Sequence, residues 1–134
     1  MAKIDLIEKK ILTYIDSHRD KCYYYGSDEL GEGVEYTIAL DNINTLALTE
    51  DEYNSWADFL NSIDIQKSNY QIYCSHDLSG YTYWKNIEED TNYTHINVWI
   101  GEEFEEFDEF GDNNFDLLFN DLDNILENLK VFCK

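Results

Sequence analysis

Residues 70–100 read YQIYCSHDLSGYTYWKNIEEDTNYTHINVWI, and this stretch decides the fold class. YQIYC (70–74), YTYWKNI (81–87) and THINVWI (94–100) are short runs rich in aromatic and β-branched residues, separated by the turn formers SHDLSG and EEDTNY. Side chains of that kind pack well on a pleated, half-buried surface, so each run is expected as a strand. A parallel crossover needs a dozen or more residues, and these connections are shorter, so an antiparallel meander is expected. Working toward the N-terminus, Val34, Tyr36, Ile38 and Leu40 alternate with Glu35, Thr37 and Ala39, a further strand pattern. CYYYGS (22–27) reads as a short strand or extended segment closed by Gly26.

Helical periodicity takes over on either side. Ile4, Ile7, Ile11 and Ile15 fall on one face of residues 3–18, widened by Leu12 and Tyr14. Thr49 followed by Glu52 is a capping-box signature, and behind it Tyr53, Trp56, Ala57, Leu60 and Ile63 share a helical face. Over 114–132, Phe115, Leu118, Leu122, Ile125, Leu129 and Phe132 recur at steps of three or four. The expectation is an α+β protein: an antiparallel sheet, a meander of about four strands, packed with three helices in a single domain spanning 1–134.

Composition supports a packed core. The 134 residues are 43% hydrophobic and 16% aromatic, which sets the chain apart from disordered sequences, poor in both. No apolar run approaches the roughly 20 residues that cross a bilayer, and the charged, interrupted N-terminus MAKIDLIEKKILTYIDSH is unlike a signal peptide. A cytoplasmic protein is expected. Cys22, Cys74 and Cys133 are an odd set, read as reduced thiols. Cys74 and His76 form a close pair of metal-ligand types, but no second pair stands at zinc-site spacing, so neither metal nor cofactor is expected.

Charge is the strongest global feature. Nine Lys and Arg against 29 Asp and Glu give a net charge of −20. Such a chain is unsuited to binding nucleic acid or an anionic membrane directly, and its natural partner is a basic protein. The charge is also polarised. Residues 1–21 are near neutral, whereas no Lys or Arg falls between Lys85 and Lys130. That interval holds Glu88, Glu89, Asp90, Glu102, Glu103, Glu105, Glu106, Asp108, Glu109, Asp112, Asp116, Asp121, Asp123 and Glu127.

Its densest part is EEFEEFDEFGDNNFDLLF, residues 102–119. Phe104, Phe107 and Phe110 recur every three residues with acids between them; a turn or two of helix would set the rings on one side, an extended path would scatter them, and a helical or irregular path is expected. Asp112, Asp116, Asp123 and Glu127 align by steps of four, seven and four, a stripe away from the Phe115–Phe132 core face. The ordinary reading of a charge run is a solvated face. A merely solvated face mixes signs, however, and this one does not.

Asp112, Asn114 and Asp116 resemble the first ligand positions of a calcium loop, but Leu117 stands where the sharp turn needs Gly and Asp123 where Glu is usual. With 29 acids some carboxylate pair always lies at a hydrolase-like separation, and no phosphate loop, nucleophile elbow or Cys–His signature is present, so an enzyme is not expected.

The remaining reading is electrostatic mimicry. Duplex DNA presents one charge per about 1.7 Å of axis, and carboxylates held on a rigid scaffold at intervals of about 5–7 Å approximate its phosphates. In size and charge the chain resembles phage-encoded DNA-mimic inhibitors of restriction and CRISPR nucleases, and also bacterial immunity proteins that neutralise nuclease toxins. Both groups are defined by mode of action, so the resemblance transfers no residue roles. The expected partner is a nuclease or other nucleic-acid-binding protein. The expected contact set is Glu88, Glu89, Asp90, Glu102, Glu103, Glu105, Glu106, Asp108, Glu109, Asp112, Asp116, Asp123 and Glu127.

Overall fold

A computed structural model describes residues 3–20, 22–40, 49–67, 69–76 and 94–129. Along the chain these form α1 (Lys3–Ser17), β1 (Cys22–Leu30), β2 (Gly33–Leu40), α2 (Glu50–Ser62), β3 (Asp64–Gln66), β4 (Tyr70–His76), β5 (Thr94–Gly101) and α3 (Asn114–Leu129). The α+β expectation holds, with three helices and an antiparallel sheet of five strands rather than about four.

Each helix begins or packs for a local reason. The capping box before α2 is formed in both directions: Glu52 N–H donates to Thr49 Oγ1 at 3.2 Å, and Thr49 N–H donates to the Glu52 carboxylate at 3.1 Å. Asn113 starts α3 by accepting the free N–H groups of Phe115 (2.9 Å) and Asp116 (3.1 Å) on its side-chain oxygen. The apolar stripes then turn inward: Ile7, Ile11, Tyr14 and Ile15 from α1, Trp56, Ala57 and Leu60 from α2, and Phe115, Leu118, Leu122, Ile125, Leu126 and Leu129 from α3. They meet Tyr36, Ile38, Tyr70, Ile72, Ile96, Val98 and Ile100 from the sheet in one shared core.

The strand order is β1-β2-β5-β4-β3, antiparallel throughout. The meander expectation is therefore corrected. β5 lies between β2 and β4, with Ile38 opposite Ile96 and Ile72 opposite Val98, so the sheet joins a β1–β2 hairpin to a β3–β4–β5 meander. Residues 70–76 and 94–101 pair directly with one another, and the strand expected over 81–87 lies outside the described residues. β5 earns the centre by composition, since Thr94, Ile96, Asn97, Val98 and Ile100 are all buried, as suits a strand covered on both sides.

Two further differences have local causes. β1 does not stop at Gly26. It runs to Leu30, and the register with β2 shifts between Tyr24 and Gly26, a bulge at which glycine is well tolerated. β3 leaves no mark in the sequence pattern, because three residues, Asp64–Gln66, are too few to show a period of two. Cys22 is fully buried, burial pushes the Cys74 thiol up to about 12, and Cys133 lies outside the described residues. Among the described residues no helix is long and apolar enough to cross a membrane.

Candidate functional site

The acidic stretch follows β5 and precedes α3, and its conformation is irregular rather than helical. Like charges at i, i+3 and i+4, as in Glu102, Glu105, Glu106 and Glu109, oppose a helix, and Asp and Gly add to the cost. The chain folds on itself instead. Glu102 N–H donates to the Glu32 carbonyl at the β1–β2 turn (2.8 Å), and Phe104 N–H to the Gly101 carbonyl (3.1 Å). Asn114 closes the loop from the far side, its backbone N–H donating to the Glu106 carbonyl (2.7 Å) and its side-chain amide to the Glu105 carbonyl (2.8 Å). At the tip the Asp108 carboxylate accepts the N–H groups of Phe110 (2.8 Å) and Asp112 (2.9 Å), and Gly111 takes a φ of 88° that side chains disfavour.

This path separates the three phenylalanines. Phe104 is 1% exposed and meets Phe115 and Tyr70 edge-on at ring distances of 5.0 and 6.4 Å. Phe107 and Phe110 are 56% and 82% exposed, and Leu117, at the start of α3, is also exposed. The expectation of three rings on one side is corrected: one anchors the loop and two stand in solvent among the acids.

Of the expected contact residues, Glu102, Glu103, Glu105, Glu109, Asp112, Asp116, Asp123 and Glu127 are exposed, and Glu106 and Asp108 are half-buried. Glu102 to Asp116 are brought together by the loop and the first turn of α3. Asp116 and Glu127 are eleven residues apart on α3, about 16 Å along its axis, so the stripe leads away from the loop. Glu88, Glu89 and Asp90 lie outside the described residues. The carboxylates of Glu103, Glu106, Glu109, Asp112 and Asp116 have no ion-pair partner among the described residues.

Among the described members of the set, Asp108 and Asp123 hold structural hydrogen bonds. Asp108 holds the loop tip as above. Asp123, though exposed, accepts the Tyr14 hydroxyl at 2.6 Å and faces His18 Nε2 at 3.3 Å, which ties α3 to α1. Tyrosine hydroxyls serve other acids in the same way: Tyr70 donates to Asp121 at 2.7 Å, and Tyr73 to Glu35. Burial first, and then the hydrogen-bonded carboxylate, pushes Tyr14 and Tyr70 well above the usual phenol range and Tyr73 up to about 12. The sequence concealed these bonds, because donor and acceptor are 109, 51 and 38 residues apart.

The calcium-loop likeness is not realised in the fold. Asn114 is buried with its amide donated to the Glu105 carbonyl, and it opens a regular helix where a calcium loop would turn. Among the described residues no three His, Cys, Asp or Glu side chains gather at metal-holding distance. Compared with protein-family models, curated protein sequences and solved structures, the chain finds no match in any of the three.

Proposed function

We propose that the chain is an inhibitor that lays its acidic face into the basic nucleic-acid-binding channel of a nuclease, as a DNA mimic of the phage counter-defence kind, anti-CRISPR or anti-restriction. It acts in the cytoplasm by occupying its partner, with no catalysis and no direct contact with nucleic acid or membrane. The observation that carries this reading is the single-sign surface from Glu102 to Asp116, held on a loop pinned by Phe104 at one end and by Asn113 and Asn114 at the other. A preformed surface is not ordered anew on binding, and an opposing cationic one relieves its self-repulsion.

A second reading, an immunity protein covering an exosite of a nuclease toxin, is favoured by exposed Phe107, Phe110 and Leu117, because phosphate mimicry needs no apolar anchor. Two experiments on a purified complex separate them. Saturating duplex DNA displaces a mimic, and a complex that survives it rules mimicry out. Phe110→Ala weakens an exosite complex by about 2 kcal/mol or more, the scale of an interface hot spot, and leaves a phosphate mimic nearly unaffected. Glu105→Lys with Glu106→Lys abolishes binding under either reading, and unchanged binding returns the stretch to a solvated face with no inhibitory role.

A further inference from the structure

β1 is an outer strand of the sheet and is nine residues long, whereas β3 at the opposite edge has three. Every second residue of an edge strand points its N–H and C=O away from the neighbouring strand, ready to pair with another chain. Cys22 N–H is bonded to the His18 carbonyl, and the Leu30 carbonyl accepts the Trp99 indole N–H. Between them the outward groups of β1 have no hydrogen-bond partner among the described residues. Three exposed apolar side chains also stand on this strand, Tyr23 (50%), Tyr25 (65%) and Leu30 (50%), and it has no Lys, Arg or Pro.

Proteins guard such edges with bulges and charges, and β1 has both. The bulge between Tyr24 and Gly26 ends the regular register, so residues 26–30, paired one for one with 37–33, are the regular run left open. Side chains alternate across a strand. Asp28 therefore stands on the face turned from the helices, with Glu35 opposite, and Glu29 on the helix side, where it lines a small cavity with Ile7 and Val34. Both acids are exposed and have no ion-pair partner among the described residues.

These guards are selective. A second copy would set two chains of net charge −20 edge to edge, and like charges on paired strands are destabilising. An extended segment with basic residues at two successive positions meets the reverse. One side chain reaches Asp28 over the outer face, and the next reaches Glu29 on the helix side. Basic residues at alternate positions would reach one acid alone.

We infer that β1 is a docking edge, where a basic segment of the protein partner adds a sixth strand beside residues 26–30. Main-chain hydrogen bonds hold the segment, and adjacent Lys or Arg side chains select it through Asp28 and Glu29. That the segment comes from a basic protein rests on the proposed function. The edge itself does not, since it is tested with a peptide alone.

The test is a nuclear magnetic resonance titration of the full chain with acetyl-Thr-Val-Lys-Arg-Val-Thr-amide. Beside it run the same peptide with every amide N-methylated and a version with Gln-Gln in place of Lys-Arg. The basic peptide is expected to give saturable shifts on the amides of residues 26–30, with slowed hydrogen exchange at alternate ones, and the N-methylated peptide none. Asp28→Asn with Glu29→Gln, folded by its amide spectrum, is expected to weaken the basic peptide about tenfold, the scale of two exposed ion pairs. The Gln-Gln peptide is expected to lose as much. Shifts confined to residues 102–127, a β1 unmoved by millimolar peptide, or equal binding of either control peptide overturns the docking edge. Dimerisation through β1 without peptide, read by sedimentation, gives the edge to a second copy and overturns the basic occupant. Failure of DNA to displace a nuclease leaves the docking edge standing, and failure of the edge leaves the acidic-face reading standing.

Discussion

Replacing Phe104 and Phe110 in turn by alanine tests the division of labour within the acidic loop. Phe104 is buried to 1%, so truncation removes a whole ring from the core and leaves a cavity, a change that costs about 3–5 kcal/mol. The edge-on contacts with Phe115 and Tyr70, each worth about 0.5–1.5 kcal/mol beyond area, place the loss toward the upper end. Against a total stability on the order of 5–15 kcal/mol, that is a large fraction. Phe110 has no such environment, and Phe110→Ala is expected to stay within about 0.5 kcal/mol. Urea unfolding followed by circular dichroism reads both: the Phe104→Ala midpoint falls with an unchanged slope, and the Phe110→Ala midpoint stays near the parent's. Equal losses at the two positions, or an unmoved midpoint for Phe104→Ala, would refute the assignment of one ring to the core and the other to solvent.

Raising NaCl from roughly 0.01 M to roughly 1 M shortens the Debye length from about 30 Å to about 3 Å, and with a net charge of −20 the urea midpoint is expected to rise; a fall would mean that ion pairs dominate. Tyr36 and Tyr73 are held up to about 12 in the fold against 10 in the unfolded chain. Their contribution is whole below pH 10 and lost as pH climbs toward 12, so tyrosinate absorbance is expected to appear together with unfolding across that window. A Cβ on Gly33 would lie 2.3 Å from the Ile100 carbonyl oxygen and 2.8 Å from the Trp99 ring, whereas one on Gly26 meets nothing within 4 Å. Gly33→Ala is therefore expected to lose at least about 1–3 kcal/mol and Gly26→Ala almost none, as thermal melts of the two variants would show.

The helices were legible because their signals are local: the Ile7–Ile15 spacing, the Thr49/Glu52 box and the Phe115–Leu129 stripe all act within a few turns. The strands at 34–40, 70–74 and 94–100 were legible for the same reason. Their order was not, since inserting β5 between β2 and β4 depends on how strands far apart in sequence pair, and no periodicity encodes that. In the candidate site the acids could be read directly, and so could the exposure of Glu102, Glu103, Glu105, Glu109, Asp112, Asp116, Asp123 and Glu127, but not the half-burial of Glu106 and Asp108. Hidden were the roles of Asp108 and Asp123, one tied to the loop backbone and the other to Tyr14, because such partners are chosen by folding. The threefold spacing of Phe104, Phe107 and Phe110 misled because it imitates a helical period in a segment whose charges oppose a helix.

The phenol-to-carboxylate bonds at Tyr14, Tyr70 and Tyr73 have a practical corollary. A neutral donor fastens an acid without cancelling its charge, and mobile ions have little to shield in such a contact. Brine that quiets the repulsion between the surface acids leaves these internal clasps closed, so the ties from α3 to α1 and from α3 to the sheet hold from dilute buffer to concentrated salt.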